Sequence, residues 1–387
     1  MRILAVDMGT GTQDILLFDS TQPIENALQM IMPSATEIAA RRIRTATSER
    51  RAVVLSGVTA GGGPCHWALE AHLKAGLPAL ATPEAAKTFD DDLDNVQRMG
   101  VTLLSEDEVD AAQGEHIPLR DLDLDAIRTA FSAFDVDTRF DGLALGCLDH
   151  GASPPGYSDR LFRFDHLRRV VAERNDLRAF AYLPDELPDY LTRARTLLAA
   201  ADADAPTVFL DTGPAAALGA LQDSQVAAHK EQLLLNLGNM HALAFHLRGT
   251  RIYSLYEHHT GEVSADQFVD FTQRLIAGTL RHEDVFESKG HGVYYADESA
   301  HPEPVEGPAP PASPEPIEGP AASPFLAVTG PQRAKLRGSV LDPYFAVPHG
   351  DMMVSGCFGL LWAFAEKHPQ HSDEILSALG ISAALVA

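Results

Sequence analysis

The stretch Ile3–Asp19, ILAVDMGTGTQDILLFD, decides the fold. Two apolar runs, Ile3–Val6 and Ile15–Phe18, flank a bend containing Gly9, Thr10, Gly11 and Thr12, and Asp7 sits just after the first run. Short apolar runs bounded by small turn-forming residues read as strands, so the spacing predicts a tight hairpin. The glycines leave the backbone N–H groups of the bend uncovered, and with the threonine hydroxyls they make a donor set for phosphate oxygens. Asp7 is repelled by a phosphate, but a hydrated divalent cation can bridge the two. The alternative is a plain hairpin in which Gly and Thr supply only turn geometry.

Outward from this hairpin, short apolar runs alternate with longer amphipathic ones, the rhythm of an α/β protein. Ala27–Met32 reads as a third strand, Ala35–Arg50 as a helix and Ala52–Val58 as a buried strand. Three glycines and Pro64 then open a helix carrying Cys65, His66 and Trp67. Its N-terminus is an anion site for a substrate or carboxylate, or the glycines only permit close packing. Cys65 there is either a reactive thiol or plain packing. Leu143–Cys147 and Thr207–Leu210 read as further strands, and Leu161–Arg174 as a helix. From Gln232 three apolar runs joined by short polar turns predict an antiparallel meander. Ser264, with Gln267 three positions later, reads as the cap of a helix reaching Leu280.

Bulk composition limits the function classes. With 387 residues, 45% of them hydrophobic, the chain exceeds the size at which one core stops growing, so two domains are expected. The expected division is 1–204, a connecting region 205–231, and 232–387 with a disordered proline-rich insertion at 301–324. That insertion repeats itself, PEPVEGPAPPAS and PEPIEGPAASP, and is too proline-dense for sheet or helix. A formal charge of −24, from 30 basic and 54 acidic residues, argues against a nucleic-acid partner. The basic stretch around Arg41–Arg51 reads as a solvated helix face. No apolar run reaches the roughly 18 residues a membrane span needs, and the start lacks a signal-peptide pattern, so no membrane partner and a cytoplasmic location are expected. Cys65, Cys147 and Cys357 are odd in number and widely spaced, which fits a reducing compartment.

Two later segments repeat the logic of the first hairpin: LLNLGNMHALAF, Leu234–Phe245, and HGDMMVSGCFGLLWAF, His349–Phe364. Together these stretches resemble the actin-like ATPase superfamily, which includes sugar kinases, DnaK-type chaperones and actin. The resemblance implies a two-lobed α/β fold of ribonuclease H-like topology with a nucleotide cleft between the lobes. It assigns phosphate binding to Gly9, Thr10, Gly11 and Thr12 in the first hairpin and to Gly238, Asn239 and His241 in the second. Gly350, Ser355, Gly356 and Gly359 match the turn that covers the nucleoside, and Asp211–Leu221 matches a helix connecting the lobes. ATP and Mg²⁺ are the implied cofactors, with Asp7 organising the metal. The second hairpin departs from the pattern: Asn236 stands where the family has an acid, which weakens the case for hydrolysis more than for binding.

Within that superfamily the wording is similar to a family labelled pyruvate formate-lyase activating enzyme, through DMGTGTQD, GVTAGGGPCHWALE, LNLGNMHALAF, YEHHTG, VTGPQR and HGDMMVSGCFG. An iron–sulfur activase needs three cysteines at close spacing, and none are so placed. The expected activity is therefore ATP-dependent phosphotransfer or hydrolysis on an unidentified small molecule, the alternative being a non-catalytic nucleotide-dependent switch or scaffold. Asp149 and His150, after a strand end, are candidates for base and orienter, or a simple polar loop. His258 and His259 are adjacent on a strand and point to opposite faces, so one lines the cleft and the other is structural. Asp14 and Asp19 read as cleft-rim and turn residues.

Overall fold

The computed structural model describes residues 1–201, 205–296 and 323–381. The chain begins with β1 (Arg2–Met8), β2 (Thr12–Asp19) and β3 (Leu28–Pro33), an antiparallel meander followed by helix α1 (Ala35–Ser48). It then leaves this sheet to build a smaller parallel one, order β6-β5-β4-β7, from β4 (Val53–Gly57), β5 (Ala79–Ala81), β6 (Val101–Leu103) and β7 (Glu115–Leu119). Helix α2 (Pro64–Lys74) lies between β4 and β5. The chain returns with β8 (Gly142–Cys147), helix α3 (Asp159–Glu173), β9 (Ala181–Tyr182), helix α4 (Thr192–Ala199) and β10 (Thr207–Asp211). Helix α5 (Thr212–Ala220) leads to a second large sheet. This comprises β11 (Gln232–Leu237), β12 (His241–Arg248), β13 (Arg251–His259), β14 (Gly292–Tyr295), β15 (Phe325–Thr329) and β16 (Tyr344–Phe345), with helix α6 (Ala265–Ile276) before β14 and helix α7 (Ser355–Lys367) after β16.

The two six-stranded sheets repeat one design. The first runs β3-β2-β1-β8-β10-β9 and the second β14-β13-β12-β11-β15-β16. In each, three consecutive antiparallel strands carry a parallel pair beyond the first of the three, β8 then β10 or β15 then β16, while the sixth strand is antiparallel and differs in place, β9 beside β10 and β14 beside β13. The expected division placed residues 205–231 between domains; β10 belongs to the first sheet, so the chain starts its crossing at Thr212. Residues 301–322 of the proline-rich insertion lie outside the described residues. Among the described residues no helix is long and apolar enough to cross a membrane.

Side-chain alternation along the strands sets which face meets which layer. On β1, Leu4, Val6 and Met8 join an outer core with Leu191 and Leu197, whereas Ile3 and Ala5 face inward with Leu16 and Phe18 of β2. On the second sheet Leu233, Leu235 and Leu237 pack outward against Phe268, Phe271 and Leu275 of α6, and Leu234, Leu243 and Phe245 face inward. One continuous core thus joins both inner faces through α5 and α7. These two helices are apolar almost all round, as helices enclosed between layers must be. They cross in close contact because glycine removes the obstacle: a Cβ on Gly219 would run into the Ser355 carbonyl, and one on Gly359 into that of Ala215.

Candidate functional site

Inward parity carries Asp7 of β1 to the space between the two sheets, since it follows Ile3 and Ala5 on the same face. The β1–β2 ladder puts Asp14 directly opposite Asp7. On the second sheet Asn236 follows Leu234 on the inner face in the same way. The hairpins beyond these strands close with the same bond: Gly9 N–H donates to the Thr12 carbonyl and Gly238 N–H to the His241 carbonyl, both at 2.9 Å. The turns face each other closely enough that a Cβ on Gly11 would collide with the Asn239 side chain.

Between the hairpins lies a cavity of about 70 Å³. Asp7, Gly9, Thr10 and Thr12 line it from one sheet, Asn236, Gly238 and Asn239 from the other, and Ser355 and Gly356 from the start of α7. The three small-residue segments therefore meet in one place. Thr212, Thr329 and Gly330 also line it; the sequence places them within Asp211–Leu221 and VTGPQR but assigns none of them a role. Their signal lay in the strand ends: Thr329 ends β15 and Thr212 follows β10, the same edge at which the hairpins turn.

The electrostatics of this cavity are unresolved by the protein itself. Burial pushes Asp7 up to about 6, against a hydrogen bond from the Thr212 hydroxyl that favours the carboxylate. Burial, and then the neighbouring Asp7, push Asp14 up to about 8. Asp14 Oδ1 and the Thr329 hydroxyl are buried with no hydrogen-bond partner. Two facing carboxylates with a free oxygen form an oxygen-ligand set suited to Mg²⁺, which accepts one or two carboxylates plus phosphate and water. Gly356 makes room for Asp7, because a Cβ there would strike its carboxylate.

A second polar cluster sits on the same inner faces. On β13, Tyr256 and His258 turn outward, His258 packing near Phe271, while Glu257 and His259 turn inward. One histidine of the adjacent pair thus faces the cleft and the other the outer core, as strand alternation requires. His259 meets His241, His150 and His291, and one ring nitrogen from each lies within 4.8 Å of the others. His150 Nε2 is 3.1 Å from His241 Nε2 and 3.4 Å from His291 Nε2. Beside them the wholly buried Arg163 of α3 is held between Asp211 of the first sheet and Glu257 of the second, 3.2 Å from the latter. His291 carried no sequence signal, being placed by its N–H bond to the Glu257 carbonyl.

The remaining candidates fall elsewhere. Asp149 accepts N–H bonds from Gly151 at 2.8 Å and Ala194 at 2.9 Å, so its carboxylate ties a loop to the start of α4. His150 and His241 stand in the histidine cluster rather than on the cavity wall. Gly359 serves the helix crossing, and Gly350 lies in a left-handed turn away from the lining. At the start of α2 the anion is internal: Gly61 N–H donates to Asp121, which also pairs with Arg193. Cys65 is buried there and burial pushes its thiol up to about 11, which suits packing and not reactivity.

Comparison with known families adds one result. A family model described as "Putative pyruvate format-lyase activating enzyme (DUF1786)" matches residues 60–309, well over half of the 387-residue chain. The chain belongs to this family. The matched span includes all four clustered histidines and the second hairpin, but neither Asp7–Thr12 nor Ser355–Gly359. No curated protein matches the chain. The iron–sulfur chemistry that the family's description implies does not fit these residues. Cys65, Cys147 and Cys357 are free, buried and divided among three separate cores, so they cannot ligate one cluster.

Proposed function

We propose that this chain binds ATP with Mg²⁺ in the cleft between its two large sheets, in the manner of the actin-like ATPases, and uses it for phosphotransfer to a small molecule or for hydrolysis. One observation carries the reading: two hairpins of repeated design converge on a cavity holding an unpartnered Asp14 oxygen and Thr329 hydroxyl. In this scheme Asp7 and Asp14 hold the metal, whose charge offsets that of the phosphates. The amides of Gly9–Thr12 and Gly238–Asn239 and the hydroxyls of Thr10, Thr12 and Thr329 donate to phosphate oxygens. The cavity, at about 70 Å³, is far below the roughly 300–1,000 Å³ of small-molecule sites, so admission of a nucleotide requires the sheets to part.

Calorimetric titration of the full chain with ATP tests this. Saturable binding that needs Mg²⁺, and that Asp7→Asn and Asp14→Asn each weaken at least tenfold, is expected; binding unaffected by both substitutions refutes it. A second reading, a nucleotide-dependent switch without turnover, is favoured by Asn236, which lines the cavity but can neither carry charge nor act as a base. Phosphate release from ATP, measured with and without candidate acceptors, separates the two.

A further inference from the structure

Four imidazoles converging inside a protein call for an explanation. We propose that His150, His241, His259 and His291 bind one divalent transition-metal ion, of the Fe²⁺ to Zn²⁺ series, clasped between the two halves of the molecule. The site is separate from the phosphate cavity and does not depend on nucleotide.

Ligand number and spacing come first. A tetrahedral ion with metal–nitrogen bonds of about 2.0–2.1 Å sets its ligand atoms about 3.3 Å apart. The two measured Nε2 separations, 3.1 and 3.4 Å, bracket that spacing. The 4.8 Å limit on the whole set leaves room for the small movements that close a site on its ion.

Protonation makes the same point. A neutral imidazole nitrogen offers either one N–H or one lone pair, so one proton cannot serve two neighbours of His150 Nε2 equally. Neutral imidazole is the form that ligates metal, and an all-nitrogen set selects transition ions over Mg²⁺ or Ca²⁺.

Orientation and access complete the set. His259 Nδ1 lies 2.9 Å from the Lys289 carbonyl, which fixes its N–H and leaves Nε2 free to ligate. His291 is fully buried, and its Nε2 is the nitrogen turned toward His150. His259 also forms part of the wall of a larger pocket of about 640 Å³, with Trp67, Arg160 and Met240, which gives an ion a path inward. His150 belongs to the first sheet's half and the other three to the second, so the ion would tie the halves together at their cleft end.

The test uses the full chain, stripped with a chelator and titrated with Co²⁺ in the absence of nucleotide. Visible d–d absorption should saturate at one equivalent, Zn²⁺ should displace it, and Mg²⁺ or Ca²⁺ should not. His259→Ala and His150→Asn, at partly buried positions, should each weaken Co²⁺ binding by at least the roughly 10–100-fold seen on losing even an outer-shell partner. Metal should raise the thermal midpoint of the unsubstituted chain and not of the variants, whose folding is verified by circular dichroism. Absence of saturable uptake, or equal affinity in the variants, overturns the proposal. A failure of ATP to bind would leave this result standing, because no step here involves nucleotide.

Discussion

At the scale of single residues, Arg163 shows how a buried charge depends on its partners. It is fully buried between Asp211 and Glu257, themselves almost inaccessible. Removing the guanidinium leaves two carboxylates in a low-dielectric interior, so Arg163→Met should cost about 3–5 kcal/mol of stability by urea unfolding. Arg44, whose pairing with Glu37 at 3.7 Å is exposed, is the contrast: Arg44→Met should stay within about 0.5 kcal/mol. The sequence could mark Asp7 because it interrupts an apolar run beside a turn. It could not mark His291, since proximity to His150 depends on folding together positions 141 residues apart.

At the scale of elements, local pattern was readable wherever one period dominated. The first hairpin, the meander from Gln232 and the α6 cap all follow their sequence signals, the cap with both reciprocal bonds between Ser264 and Gln267. The partition of strands between sheets was not readable, because a strand such as Val53–Gly57 carries the same apolar pattern in either the small or the large sheet. Helix crossing is also invisible in one dimension, yet it depends on two glycines. Gly219→Ala and Gly359→Ala each push a methyl into a facing backbone carbonyl and should cost about 1–3 kcal/mol, read by urea unfolding. Gly261 has open space around its Cβ direction, so Gly261→Ala should change stability by less than about 0.5 kcal/mol.

At the scale of the molecule, the two halves are joined at both ends of their shared core. Away from the cleft, Asn175 exchanges hydrogen bonds with the Ile252 backbone, and the Thr250 hydroxyl donates to Asp176 at 2.8 Å. Burial alone would raise Asp176, but bonds from Arg178 and Thr250 outweigh it and hold the carboxylate below its ordinary range. A depressed carboxylate contributes its stability above the unfolded value, about pH 4, and loses it as pH falls through the folded value. Asp176→Asn should therefore lower urea stability at pH 7, and the gap from the unsubstituted chain should shrink as pH falls below the unfolded value.

The repeated sheet order has an arithmetic consequence for charge. Asp7 and Asn236 occupy corresponding positions on β1 and β11, and both open on the same small cavity. With an acid in place of Asn236, three carboxylates counting Asp14 would crowd a volume of about 70 Å³. Doubling a motif doubles its anions but not the counter-ions available to neutralise them. By carrying an amide in one copy, the chain keeps a third carboxylate out of that volume.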